Sequence, residues 1–88
     1  MLKISIVELS EKLDVVRLEG HIAGPWVEAL RKALEGELSD RKKLILDISD
    51  VSFVDGNGIS LLTTLTTPQV ALLNAQPFVT ELLKSARG

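Results

Sequence analysis

Leu44-Ile45-Leu46-Asp47-Ile48-Ser49-Asp50-Val51-Ser52-Phe53-Val54-Asp55-Gly56-Asn57-Gly58-Ile59-Ser60-Leu61-Leu62 is the stretch that decides the fold. Its first five residues are almost continuously apolar, the mark of an interior strand covered on at least one face. A second short hydrophobic step follows at Val51, Phe53 and Val54, and then the acidic glycine turn Asp55-Gly56-Asn57-Gly58. Beyond the turn, Ile59, Leu61, Leu62 and Leu65 recur at helical spacing. The function of the chain is expected at that turn, with the remaining elements assembled around it.

Upstream, Leu2, Ile4 and Ile6 alternate with Lys3 and Ser5, the period-two pattern of a half-buried strand. Ser10-Glu11-Lys12 reads as a polar turn and residues 15–20 as a second strand, so the two form an antiparallel hairpin. Gly20-His21-Ile22-Ala23-Gly24 reads as a loop, and Pro25 suits the first turn of a helix, where a missing amide hydrogen costs little. Trp26, Val27, Leu30, Ala33 and Leu34 then face inward, with Glu28, Arg31, Lys32 and Glu35 opposite, until the helix ends between Gly36 and Leu38. Downstream, Pro68 terminates the helix that follows the acidic turn. Val70-Ala71-Leu72-Leu73 supplies a short strand, parallel to the central one by the right-handed crossover rule. Pro77 opens a last helix with Val79, Leu82, Leu83 and Ala86 inward. The expected architecture is one α/β domain over residues 1–88, a mixed four-stranded sheet with three helices.

Size bounds what this domain can do alone. About 5,000 Å² of apolar burial at ~25 cal/mol per Å² is worth on the order of 130 kcal/mol, which ordering the chain at about 1.5 kcal/mol per residue cancels. A protein partner or a second copy of the chain, as a homodimer, is therefore expected to add stability. A hydrophobic fraction of 45% with 25% charged residues is that of a globular protein, not a disordered one. With no cysteine, disulfides and thiolate metal sites are excluded, and a cytoplasmic location is favoured. No apolar run reaches the ~20 residues of a membrane span, and residues 1–4 carry no export-signal pattern. A net charge of −2 argues against a nucleic-acid partner. The basic cluster Arg41-Lys42-Lys43 reads as a solvated turn.

The run 46–59 resembles the signature of STAS domains, the family of bacterial anti-sigma factor antagonists. In that signature a strand ends in an acidic or polar turn, a hydrophobic-aromatic step follows, and Asp-Ser-Ser/Thr-Gly opens a helix. The early hairpin, the helix near Trp26 and the elements after Pro68 fall in the family's order, so the likeness covers nearly the whole chain, short of the family's late strand and helix. Asp55 and Gly58 match, while Asn57 takes the place of a small polar residue. The resemblance implies that the residue after the aspartate is the one a partner kinase phosphorylates in switchable members. Gly56 stands there, without a hydroxyl, so the family's switch has no phosphoacceptor in this chain; Ser52, Ser60 and Thr63 are candidate displaced sites, Ser60 first. Two partner classes are implied: an anti-sigma factor of the serine-kinase type, or the ATPase of an ABC lipid-transport complex.

The residues support a docking turn independently of the family. Asp55 is suited to cap the following helix, and Gly56 and Gly58 are expected to let the backbone turn sharply and another surface approach. From Val51 to Thr80 Asp55 is the only charged residue, in a chain with ten basic and twelve acidic ones. Ser60, Thr63, Thr64 and Thr67 are expected on the outer face of the second helix, an uncharged surface that extends the turn as a partner-docking face.

Other readings start from the same residues. Free amides at a helix start can hold a nucleotide phosphate, but Asp-Gly-Asn-Gly fits neither phosphate-loop nor dinucleotide fingerprints, and Asp55 competes for the same donors. Asp47, Asp50 and Asp55 suggest magnesium, yet Asp50 reads as a turn residue and Asp47 as pointing elsewhere. His21, a lone imidazole without cysteine or a second histidine, builds no zinc site or nucleophile-base pair. A structural role is expected for it, and a core or rim role for Trp26. The chain is expected to be non-enzymatic and to need no metal or cofactor. A small-ligand sensor or weak hydrolase is the alternative from another class.

Overall fold

The computed structural model describes residues 1–38, 42–65 and 69–87. Strands β1 (Leu2–Leu9) and β2 (Leu13–Ile22) lead into helix α1 (Pro25–Leu38), then β3 (Lys43–Val54), α2 (Gly56–Leu65), β4 (Val70–Leu73) and α3 (Pro77–Arg87). The strands form one mixed sheet in the order β1-β2-β3-β4, antiparallel between β1 and β2 and parallel elsewhere. The expected fold is thus the observed one. Ser10 closes the hairpin: its hydroxyl donates to the Leu13 carbonyl at 2.7 Å and accepts the Leu13 amide hydrogen at 3.1 Å.

One face of the sheet is buried. Val16, Leu18 and Ile22 of β2 alternate with half-exposed residues, as do Leu44, Leu46 and Ile48 of β3, and they share one core with Leu30, Leu34, Leu62 and Val79 of the helices. The other face stays partly open, where Arg17 pairs with Asp50 and, at 3.4 Å, with Glu19. No helix among the described residues is long and apolar enough to cross a membrane.

Several local expectations are corrected. β2 continues through Ile22, so His21 lies on a strand and not in a loop; its ring meets Phe53 edge-on, centroids 6.0 Å apart. β3 is one strand of twelve residues, and Asp50 sits within it instead of in a turn, beside a register shift opposite Arg17 and Glu19. Lys42 is no free turn residue, since its ammonium lies 3.2 Å from the buried carboxylate of Asp14. Ile4 and Ile6 are exposed although they sit on the core face, as are Trp26, Ala33 and Leu82 on their helices. Helical and strand periodicity identify a face but not whether another element covers it. The expectations for Arg41, Thr67, Pro68 and the Ala86 side chain fall outside the described residues.

Candidate functional site

β3 delivers Asp55 to the start of α2, where it caps the helix. Its Oδ1 accepts the Gly58 amide hydrogen at 2.7 Å, and its carbonyl accepts that of Ile59 at 2.9 Å. Oδ2 turns the other way and accepts the Gly24 amide hydrogen at 2.9 Å. One carboxylate therefore joins the loop between β2 and α1 to the first turn of α2. The Gly24 and Gly58 amides, and after them the Asn57 amide, hold the Asp55 carboxyl below its ordinary range, because they stabilise the charged form.

The glycines of this region have different jobs. Gly24 adopts φ +57°, a left-handed conformation that lets its amide point at Asp55. Gly58 is buried, and a Cβ there would lie 2.3 Å from the Ile22 carbonyl oxygen and 2.7 Å from Val54 Cγ1. Gly56, by contrast, is exposed with nothing within 4 Å of a built Cβ, and its φ is not positive. Of the sharp turn and close approach expected of Gly56 and Gly58, only a close approach is found, that of β2 of the same chain to Gly58; both glycines lie in α2 and neither has a positive φ.

Asn57, Ser60 and Thr64 are exposed on one side of α2, where with Leu61 they line a groove of about 410 Å³ against α1. Thr63 departs from that set: it is half-buried, and its hydroxyl is buried with no hydrogen-bond partner among the described residues. The opposite wall of the groove comes from Gly24, Val27, Glu28 and Arg31. Arg31 is held by Glu28 three residues before it and, at 2.8 Å, by Glu35 four residues after it. This charged wall was not part of the sequence reading; the spacing of Glu28, Arg31 and Glu35 marks a polar helix face but not the helix beside it. A second groove, of about 470 Å³, lies under β4 and α3, lined by Val70, Leu72, Ala75 and Leu83, away from Asp55.

Asp47, Asp50 and Asp55 do not converge. The Asp47 carboxylate takes the Ser49 amide hydrogen at 3.1 Å, Asp50 pairs with Arg17, and Asp55 is occupied as described. Among the described residues no three acidic or histidine side chains come together as a metal site.

Comparison with known proteins places the fold and the sequence in a family. The fold is similar to that in "Structure of the Anti-Sigma Factor Antagonist SpoIIAA in its Unphosphorylated Form", with a TM-score of 0.73 and 19% identity over 93% of this chain and 82% of that one. The family model described as "Mlab, STAS domain" matches residues 6–87, nearly the whole length. The chain belongs to the STAS domain family.

Proposed function

We propose that this STAS domain is a non-enzymatic docking module. It binds a partner protein through the turn at Asp55, Gly56, Asn57 and Gly58, the exposed Ser60 and Thr64 of α2, and the facing wall of α1. The observation that carries the reading is the groove itself: an uncharged helix face, its N-terminus fixed by Asp55, set against a wall bearing Glu28 and Arg31. The two charges that line the wall, Glu28 and Arg31, pair with each other, so the wall favours a partner that brings hydrogen-bonding groups beside a small apolar side chain. Phosphate binding is disfavoured, because amides at the start of α2 already serve Asp55.

The likeness in fold to an anti-sigma factor antagonist supports an anti-sigma factor of the serine-kinase type as the partner. Sequestering it in the bacterial cytoplasm would release a sigma factor for transcription. Without a hydroxyl at Gly56, the domain would act as a constitutive antagonist. That same glycine supports a second reading, a subunit on the ATPase of an ABC lipid-transport complex. Open space surrounds Gly56, so packing does not demand a glycine there, and a role without phosphorylation would leave the hydroxyl unneeded. Calorimetric titration against an anti-sigma kinase and against an ABC ATPase separates the two. Binding to either that is abolished by Thr64→Glu supports docking at this groove; binding to neither sinks the reading.

A further inference from the structure

β1 is an edge strand whose outer side pairs with no described strand. The His21 amide hydrogen bonds to the Met1 carbonyl at 2.9 Å, so Met1 points its carbonyl at β2. Bonding direction alternates along a strand, which turns Lys3 and Ser5 toward β2 as well and leaves the amides and carbonyls of Leu2, Ile4 and Ile6 directed outward. Ile4 and Ile6 lie opposite Leu18 and Val16, on the core face of the sheet, yet they are 38% and 60% exposed. Leu9, opposite buried Asp14, is 62% exposed.

The helix above this edge continues the surface. α1 packs on β2 and α2, and its Val27, Glu28 and Arg31 flank faces α2. A helical step of about 100° per residue puts Trp26, Ala29 and Ala33 on the opposite flank, above β1, and all three are exposed. Ile4, Ile6 and Leu9 on the strand edge and Trp26, Ala29 and Ala33 on that flank are apolar and exposed.

We infer that this edge is a homodimer interface. β1 of a second copy adds antiparallel to β1 about a two-fold axis at Ser5, joining two four-stranded sheets into one of eight. Three features select a second copy as the occupant. The axis sets Ile4 of each copy opposite Ile6 of the other, and both residues carry outward-facing bonding groups, so the hydrogen-bond parity of the two edges agrees. The same register brings Lys3 of one copy beside Glu8 of the other and keeps the two lysines roughly 13 Å apart. The exposed apolar residues offer roughly 500 Å² per copy, which reaches the ~1,000 Å² of a weak but specific interface. The bulge between Ile6 and Glu8 limits the pairing to a short segment and keeps the edge from templating longer assemblies. Because this flank is the one turned away from the α1–α2 groove, dimerisation leaves both docking faces free.

Sedimentation equilibrium over a concentration series up to the millimolar range tests the inference. The mass should approach twice 9.6 kDa, with amide exchange at Ile4 and Ile6 slowing as concentration rises. Ile6→Lys should weaken association by about tenfold or more, since an inward-pointing charge at an edge disfavours pairing. Should that variant fail to fold, Ala33→Glu on the exposed helix flank makes the same test. Ala71→Lys, on the other edge strand, should leave the dimer intact. A monomer at every concentration overturns the inference, as does a dimer that survives Ile6→Lys or Ala33→Glu, or one that Ala71→Lys dissociates.

Discussion

The Gly24 amide donates to Asp55 Oδ2 at 2.9 Å across 31 residues of sequence, while Oδ1 of the same carboxylate caps α2 through Gly58 at 2.7 Å. This contact fixes the two walls of the groove relative to each other, because Gly24 leads into α1 and Gly58 lies in the first turn of α2. Asp55 thus does more than the helix cap expected of it.

Removing its charge should show in the acid stability of the domain. The folded Asp55 carboxyl titrates below its unfolded value, so between the two values the unfolded chain binds more protons. Its contribution is complete above the unfolded value, about pH 4, and disappears as pH falls through the lower folded value. Asp55→Asn keeps an oxygen for the cap but can offer the Gly24 amide an NH₂ group in place of an acceptor, so it should lower the melting temperature at neutral pH, and the gap to the wild type should narrow as pH falls below about 4. Thermal melts of both proteins across pH 2–7 check this; a constant gap at every pH would rule it out.

Two glycines two positions apart should behave oppositely on substitution. Gly58→Ala drives a Cβ to 2.3 Å from the Ile22 carbonyl, a backbone atom held within β2, and should cost about 2 kcal/mol or more. Gly56→Ser enters open space at the helix start, where serine is well tolerated, and should stay within ~0.5 kcal/mol of the wild type. Urea denaturation of the two variants measures both. Equal losses would mean that the close approach at Gly58 is not what requires glycine.

How far the sequence was legible follows from what its patterns encode. Leu44, Leu46 and Ile48 announce a strand in the middle of the sheet, and Asp55 with Gly58 announces the cap, because both depend on neighbours close in sequence. Asp50 reads as a turn residue because it and Ser49 interrupt the apolar run. In the structure a register shift absorbs them, and Arg17, far away in sequence, neutralises Asp50. Periodicity alone places Ile4, Ile6, Trp26 and Ala33 on the core-facing side of their elements. Their exposure arises because α1 packs over β2 and leaves the β1 edge uncovered. Glu28 and Arg31 escaped notice as site residues for the complementary reason, since only the packing of α1 on α2 turns a solvated helix face into a groove wall.

Thr63 and Thr64, adjacent in sequence, should separate folding from docking. Thr63 has a buried hydroxyl, so Thr63→Glu places a carboxylate where it cannot be solvated and should cost about 2 kcal/mol or more of stability. Thr64 is exposed in the groove, its hydroxyl donating to the Ser60 carbonyl at 2.9 Å. Thr64→Glu should leave the melt within about 2 °C of the wild type yet weaken partner binding by about tenfold or more, because a longer, hydrated carboxylate then occupies the groove the partner enters. Unchanged affinity for Thr64→Glu would move the docking surface away from the groove.

Restoring a hydroxyl at position 56 should restore a switch. In Gly56→Ser the new side chain stands in open space beside Asp55 at the mouth of the groove. The amides there already serve that carboxylate, so an added phosphate would meet an anion with its hydrogen bonds spent. Incubated with a serine-kinase partner and ATP, the wild type should gain no phosphate on the turn and should keep its affinity. The variant should bind equally well before phosphorylation and about tenfold or more weakly after it. Mass spectrometry locates the phosphate and calorimetry measures the affinity. A stoichiometric phosphate on Ser60 or Ser52 of the wild type, both exposed, would mean that the switch has moved along the chain and has not been lost.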